Sequence, residues 1–239
     1  MKFYLDDKQF GRMIITVRCN MRNISFIAKN GALHISVPPG TPREHLEQAV
    51  EESRDRLVRL LEQSTAPAVT FHDGQRIPYY GGEIVIGLGT KNDGYIHSEP
   101  PTDGVVRLTV SPSCSFDDEW TTKAISRLIS SQMEAVVYCD VRPLLEEIAA
   151  ELGVKYSGFD IGRGVRKLGH CTADNVIMLS RNVALLPEHL IRYLICHELA
   201  HVTHKNHSSA FHALVNVYTG GREKALAAEL RDFRWPIVQ

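Results

Sequence analysis

The residues best suited to chemistry lie together near the C-terminal end of the chain. His197 and His201 are four positions apart and Glu198 follows the first of them, which gives the pattern H-E-x-x-H. On a helix, side chains four positions apart share one face, so both imidazoles can reach a single ion. Glu198 would lie about 100° around that helix, near a water on the ion. The pattern predicts a zinc hydrolase in which the metal activates water and Glu198 transfers its proton.

A surface helix that happens to carry two histidines and a glutamate would also explain so short a pattern. Two neighbouring features favour a metal site. Residues 190–196 are strongly apolar, and a carboxylate directly after them is costly to bury without a partner. His207 stands ten positions after His197, the spacing of H-E-x-x-H-x-x-G-x-x-H zinc peptidases. We therefore predict a divalent metal site, with Zn2+ as the cofactor because all three ligands are imidazoles.

His207 can join the other two histidines only if the chain turns between them. On a straight helix, His207 would lie about 15 Å along the axis from His197, whereas a zinc–nitrogen bond is about 2 Å long. We place the turn at residues 204–206, because Asn206 tolerates a left-handed conformation. The alternative is a straight helix with His204 as the third ligand. That arrangement would strain a tetrahedral site, so we favour His207.

The composition is that of an ordinary globular protein. The chain has 239 residues, of which 44% are hydrophobic and 23% charged, and its net charge is -1. The near-zero charge argues against a broad nucleic-acid surface. The sequence contains no run of 18 apolar residues, so no membrane span is predicted. Residues 1–8 lack the apolar core of a signal peptide. The five scattered cysteines, with no C-x-x-C, are typical of reduced thiols. We expect a cytoplasmic protein.

Residues 1–115 are predicted to form a β-rich region. Strands are expected at residues 13–18, 24–28 and 33–37, with Asn30–Gly31 as a hairpin turn. The segment from Thr41 to Glu44 has capping-box spacing and opens one long helix that ends near Gln63. After a linker at residues 64–67, further strands are expected at residues 69–71, 77–80, 83–86 and 105–110.

Residues 116–239 are predicted to form a second, mainly helical domain. A helix with Trp120 in its apolar stripe begins near Asp117, restarts at Pro143 and ends at Gly153. Strands are expected at residues 155–161 and 176–179, the second after a turn at Asp174–Asn175. Pro187 begins the H-E-x-x-H helix, and two short helices close the chain. The fold class is therefore α+β.

Several segments of the chain together resemble one protein family. The histidine pattern, followed by Asn206-His207-Ser208 and Phe211, is similar to the YgjP-like metallopeptidase-domain family of the wider zincin-like group. Three other segments agree with that family: residues 14–39 with the long helix after them, residues 71–81, and residues 169–179. The resemblance implies a zincin-like C-terminal domain, with His197, His201 and His207 as metal ligands and Glu198 as the catalytic residue.

The sequence departs from the family pattern around the expected site. Leu168 and His212 replace expected tryptophans, His170 replaces a serine, and Ser180 replaces an asparagine. None of these changes removes a predicted ligand or Glu198. They fall in segments expected to line the site, so the substrate-binding residues stay unknown.

Other residues near the pattern have weaker claims to a role. His170 is a candidate hydrogen-bond donor to a developing oxyanion, although a polar loop residue is the simpler interpretation. Cys171 is expected to be a small buried residue, and His212 a packing histidine. Tyr193 and Tyr218 are possible transition-state donors, although tyrosines at such helical positions usually pack.

The expected activity is hydrolysis of peptide bonds, with a peptide or protein as the substrate partner. The strand at residues 176–179 is interpreted either as an edge strand that pairs with an extended peptide or, equally well, as a plain structural strand. One alternative is a nucleoside triphosphate pyrophosphohydrolase, favoured only by Arg163, Arg166, Lys167 and Arg181. The other alternative is a non-catalytic module that zinc stabilises, which would need no base and would use a fourth protein ligand.

Overall fold

A computed structural model describes residues 2–29, 32–65, 69–162 and 167–238 of the chain. The chain divides into two compact units, Met1–Ala68 and Val69–Gln239. The predicted domain boundary after residue 115 lies inside the second unit. The two boundaries differ because strand residues such as Ile84 and Val106 share one apolar core with helix residues such as Ile129. No helix of the described residues is long and apolar enough to cross a membrane.

The first unit contains one sheet and two helices. Its strands are β1 (Lys2–Asp7), β2 (Gly11–Val17), β3 (Ser25–Lys29) and β4 (Ala32–Val37), in the sheet order β1-β2-β4-β3. β2 and β4 are parallel, and the two outer pairs are antiparallel. The expected turn residues Asn30 and Gly31 lie outside the described residues, as do Ala66 and Pro67 of the expected linker.

The single long helix predicted for the first unit is wrong. The structure has α1 (Arg43–Glu52) and α2 (Arg54–Thr65), which meet at Ser53. Leu46, Val50 and Leu57 of the predicted stripe are buried in the core of this unit. The break lets α2 pack against β3 and β4. The expected capping box is also absent, because the Thr41 hydroxyl donates to the Pro38 carbonyl.

The second unit begins with a sheet that has the strand order of the first. Its strands are β5 (Arg76–Tyr79), β6 (Gly82–Leu88), β7 (Ile96–Ser98) and β8 (Val105–Val110), in the order β5-β6-β8-β7. The central pair is again parallel and the outer pairs are antiparallel. A helix, α3 (Glu119–Val136), follows, and its apolar face is buried in the same core as β6 and β8.

The start and end predicted for the helical segment after β8 are confirmed. The Asp118 side chain caps α3 by accepting from the Thr121 amide. A π-helical turn (Val137–Val141) then leads into α4 (Arg142–Glu151), which carries Pro143 in its first turn, and Gly153 follows with a φ of 66°. Trp120 was expected in the buried stripe, but it is 57% exposed, because it lies on the side of α3 opposite the buried residues, such as Ile125 and Ile129.

The remaining elements surround the histidine pattern. The strands are β9 (Gly158–Gly162), β10 (Gly169–Cys171) and β11 (Val176–Ser180), in the order β10-β11-β9. After a 3-10 turn (Arg181–Leu185), the chain forms α5 (Glu188–Thr203), α6 (Ser209–Tyr218) and α7 (Glu223–Asp232). The predicted turn before β11 is confirmed, with Asn175 at a φ of 61°.

The prediction that residues 176–179 form an edge strand is wrong. β11 pairs with β10 on one side and with β9 on the other, so it lies at the centre of this sheet. β10 is the edge strand next to α5. The sequence did not reveal this order, because β9 pairs with β11 in parallel, and no turn signal identifies the partner of a parallel strand.

Candidate metal centre

Helix α5 positions the first two histidines of the cluster. The helix follows Pro187 and runs through Thr203, with His197 and His201 one turn apart. Its apolar side is buried in the core of the second unit. This packing fixes the rotation of the helix about its axis, and therefore the direction in which the imidazoles of His197 and His201 point. Burial of that side explains why residues 190–196 are so strongly apolar.

The chain turns directly after α5 and brings His207 back to the other two histidines. His204 has extended backbone angles (φ -121°, ψ 102°) and ends the helix, so the predicted turn is confirmed. The left-handed conformation expected near Asn206 is not used, because only Asp103 and Asn175 have positive φ among the described non-glycine residues. His207 Nε2 lies 3.2 Å from His197 Nε2. His204 contributes its carbonyl and does not belong to the cluster.

Three imidazoles converge on one point. One nitrogen from each of His197, His201 and His207 lies within 4.8 Å of the others. Phe211 of α6 forms the floor beneath them, stacked on His201 at 4.3 Å and edge-on to His197 at 4.9 Å. Phe211 is fully buried, so α6 holds the cluster against the core.

Two of the histidines are held in the neutral form in which imidazole binds metals. Burial, reinforced by the charges of His201 and His207, lowers the pKa of His197 to about 4. Burial also lowers the pKa of His201. The His201 Nδ1–H donates to the His204 carbonyl at 2.9 Å, which leaves Nε2 free to face the cluster. Such a partner on the second nitrogen fixes both the tautomer and the ring orientation.

Glu198 is buried beside the cluster with one oxygen left unpaired. The residue is 4% exposed, and this burial raises the pKa of its carboxyl to about 8, against the opposing effect of the Cys171 main-chain amide. Among the described residues, Oε2 has no hydrogen-bond partner. A buried polar atom without a partner is costly, so this oxygen indicates a ligand or a water at the site.

Gly169 of β10 leaves the space that Glu198 occupies. A Cβ atom at this position would lie 2.3 Å from Glu198 Oε1 and 2.7 Å from its Cδ. No side chain can therefore stand at position 169 while the carboxyl keeps its place.

The residues present fit a zinc ion. Three imidazole nitrogens are close enough to share one ion, and the described residues offer no fourth His, Cys, Asp or Glu to that group. Three protein ligands and an open position are the pattern of a catalytic zinc site. Glu198, with its unpaired oxygen, directly follows the first of these histidines in the chain.

The structure separates the secondary candidates. His170 is exposed on β10, whereas Cys171 is buried with its Sγ 3.5 Å from Lys205 Nζ. Tyr193 is buried edge-on to His197, with ring centroids 6.2 Å apart, and Tyr218 is half-buried. His212, expected to be a packing histidine, does pack edge-on to Phe211, with ring centroids 5.4 Å apart. Its side chain is nevertheless 51% exposed and pairs with Glu223.

The basic residues that favoured a phosphate substrate do not form a described cluster. Arg163 and Arg166 lie outside the described residues. Arg181 lies 3.8 Å from Glu134, so a carboxylate already faces its guanidinium. Lys167 acts on Glu198 by lowering the pKa of its carboxyl, against the larger effect of burial.

The chain belongs to the YgjP-like family, because the model described as "YgjP-like, metallopeptidase domain" matches residues 22–232. The family assignment supports a metal-dependent peptidase at the level of the family. A search of curated proteins found no match.

Two solved structures of metallopeptidase zymogens are similar to part of the chain. Abylysin from Pyrococcus abyssi is 28% identical with a TM-score of 0.34, over 38% of this chain and 90% of that one. Jannalysin from Methanocaldococcus jannaschii is 23% identical with a TM-score of 0.35, over 38% of this chain and 94% of that one.

Three contributors to the site escaped the sequence analysis. Phe211 forms the floor, Lys205 ties the turn after α5 to the β10–β11 hairpin, and Glu223 holds His212. Phe211 belongs to the segment that resembles the family pattern, but the sequence did not show that its ring packs against the imidazoles. Lys205 and Glu223 act on residues that are distant in the sequence or on another helix, which no local pattern reveals.

Proposed function

We propose that the chain is a zinc-dependent peptidase in which His197, His201 and His207 hold the ion and Glu198 is the catalytic residue. The observation that carries the proposal is the unpaired, buried Glu198 oxygen beside three converging imidazoles. We further infer that residues 116–239 contain a zincin-like arrangement, which the H-E-x-x-H helix beside the β9–β11 sheet supports.

The residues of the chain divide the work of hydrolysis between them. When bound, zinc polarises the substrate carbonyl and acidifies a water. Glu198 Oε2 takes the proton of the attacking water and passes it to the leaving amine. Burial raises the pKa of the Glu198 carboxyl, and the positive charge of a bound zinc would lower that pKa again, which favours the carboxylate that accepts the proton. Gly169 keeps the carboxyl in place, and Phe211 excludes water from the rear of the imidazoles.

The edge strand suggests how a peptide would bind. β10 lies next to α5, and its residue Cys171 already donates a main-chain amide to Glu198. An extended peptide that adds to a sheet edge gains affinity from main-chain hydrogen bonds. β10 therefore takes the substrate-binding role that was first expected of β11.

The alternatives have less support. A nucleotide substrate would need a cluster of basic residues, and Arg181, one of the four that favoured it, already faces Glu134. A module that zinc only stabilises would use a fourth ligand, which the described residues do not offer. It would also gain nothing from a buried, unpaired carboxylate.

Replacement of the catalytic residue tests the proposal. Glu198→Gln should leave zinc content unchanged but lower peptide turnover by roughly 10²–10⁴-fold, the usual contribution of acid–base catalysis. Zinc is measured by elemental analysis, and turnover with a library of fluorogenic peptides. Nucleoside triphosphates are assayed in parallel. Zinc-dependent release of diphosphate without peptide cleavage would reverse the ranking of the two activities.

A further inference from the structure

A second histidine–carboxylate pair lies beside the cluster. His212 of α6 has its Nδ1 2.5 Å from Oε1 of Glu223, the first residue of α7. A carboxylate only accepts hydrogen bonds, so Nδ1–H is the donor. The bond fixes the ring, and Nε2 on its opposite edge forms no hydrogen bond to any described residue.

This pair differs in its exposure to solvent from a second histidine–glutamate pair, which joins α5 and α7. His189 and Glu229 lie 2.6 Å apart, but their side chains are 46% and 52% exposed. The Glu223 side chain is only 11% exposed, while that of His212 is 51% exposed. A buried carboxylate therefore holds an imidazole that is open to solvent. Such an arrangement orients the exposed nitrogen, whereas two exposed partners are free to separate.

His212 is close enough to act at the metal site. Its ring centroid lies 6.2 Å from that of His207 and 5.4 Å from that of Phe211, the floor of the cluster. His212 also contributes to the field that lowers the pKa of His197. The His212 ring therefore lies beside the three predicted ligands, on the helix that carries Phe211.

We propose that His212 Nε2 accepts a hydrogen bond from a main-chain N–H of the substrate, and that Glu223 is the residue that positions it. The inference rests on the proposed peptidase function and extends it by naming a substrate-contacting residue. It also gives a role to a departure from the family pattern, which has tryptophan at this position.

A phosphinic peptide tests the proposal by binding, separately from turnover. Its tetrahedral phosphinate resembles the hydrated peptide group that hydrolysis must pass through. The amides that flank the phosphinate keep the main-chain N–H groups of a substrate, so isothermal titration calorimetry with the zinc-loaded protein should show affinity lowered about 2- to 10-fold by His212→Phe, the range for a hydrogen bond between neutral groups. His212→Trp should give the same loss. Zinc content should not change in either variant.

The positioning role of Glu223 requires a different comparison. Glu223→Gln should weaken inhibitor binding to a similar extent, and adding it to His212→Phe should cause no further loss, because both changes remove one interaction. Nitrogen-15 NMR of the wild-type protein should show protonated Nδ1 at His212, and the signal should shift in Glu223→Gln. The matched controls His189→Phe and Glu229→Gln should leave affinity unchanged.

The outcomes separate this inference from the proposed function. Tight inhibitor binding that all His212 and Glu223 variants retain would overturn the inference and leave the peptidase assignment intact. An His212 ring without a proton on Nδ1 would overturn it as well. A wild-type protein that binds zinc but neither binds the inhibitor nor cleaves peptides would overturn the proposed function, and the inference with it.

Discussion

At the scale of single residues, the site depends on groups that are individually unfavourable. Glu198 is a buried carboxyl with one unpaired oxygen, and His197 is buried next to two other imidazoles. Perturbed groups of this kind concentrate at functional sites. The fold tolerates them because a bound ion and its water would supply the missing partners.

Gly169 should be intolerant of even the smallest side chain. Gly169→Ala would place a Cβ 2.3 Å from Glu198 Oε1, so the carboxyl must move away from the cluster. We expect peptide turnover to fall by about tenfold or more, because a displacement of about 1 Å can be this costly, while zinc content stays the same. Gly158→Ala is the matched control, since its Cβ would have 3.8 Å to its nearest neighbour. Equal turnover in the two variants would contradict the role of Gly169.

The third ligand is tested by comparing two histidines in the turn after α5. His207→Ala should weaken zinc binding by orders of magnitude, because it removes one of three nitrogens from the group. His204→Ala should change it far less, since His204 contributes its main-chain carbonyl to His201 and keeps it in the variant. Competition with a chromogenic chelator measures both constants. The opposite order would refute the assignment of His207.

At the scale of elements, the metal centre depends on one lysine that joins two segments. Lys205 Nζ donates to the Thr172 carbonyl at 2.8 Å and to Asn175 Oδ1 at 2.5 Å. These contacts tie the turn that carries His207 to the hairpin between β10 and β11. The hairpin also carries Gly169, so one contact links the third ligand to the strand that holds Glu198.

Loss of that link should loosen the metal. Lys205→Ala should weaken zinc binding by about tenfold, the lower end of the effects seen when residues behind the ligands are changed. Dissociation is followed by transfer of zinc to a chelator. Lys224→Ala, which removes an exposed lysine from α7, is the control. A dissociation rate for Lys205→Ala equal to that of the control would show that the turn holds its shape alone.

An ion pair within the first unit should make its stability depend on pH. Arg54, the first residue of α2, bonds to Asp7 at the end of β1 and holds the pKa of that carboxyl below its usual value of 3.8. The folded state binds the proton less readily than the unfolded state, so this stabilisation is present above pH 3.8 and is lost as the pH falls through the folded pKa.

Asp7→Asn should therefore lower the stability of the first unit at pH 7 and have progressively less effect as the pH falls below 3.8. Hydrogen exchange of α2 amides measures the change. Asp6→Asn is the control, because Asp6 and its partner Arg12 are 74% and 70% exposed and such pairs contribute little. A pH-independent effect of Asp7→Asn would argue against the ion pair.

Local patterns predicted the parts of the site that one helix carries. The spacing of His197, Glu198 and His201 follows from the helical repeat, and the turn before His207 follows from the reach of a zinc–nitrogen bond. Three features depend on contacts between separate elements: the central position of β11, the break at Ser53 and the pairing of His212 with Glu223. Such contacts have no local period, so the sequence could not reveal them.

At the scale of the whole molecule, one strand arrangement occurs twice. β1–β4 and β5–β8 share the order 1-2-4-3 and a parallel central pair, and helices follow both. The two sheets nevertheless belong to separate apolar cores. The first core is complete within its own unit, while the second is shared with the elements that carry the metal centre.

Separate cores should respond separately to mutation. Leu57 and Ile129 are both fully buried, one in each core. Replacing either by alanine should cost about 2–5 kcal/mol, but only in its own unit. Hydrogen exchange measured at increasing urea concentrations should show lower protection of the α2 amides in Leu57→Ala, while the α5 amides stay protected. Ile129→Ala should give the reverse result. Loss of protection in both helices from either change would contradict the prediction.

The completeness of the first core has a consequence for synthesis on the ribosome. All the residues that this core needs precede Val69, so the first unit can fold while the rest of the chain is still being made. At 5–20 residues per second, helix α5 emerges on the order of ten seconds later. During that delay, no histidine of the metal centre yet exists. Binding of the proposed zinc ion would therefore follow the folding of the first unit.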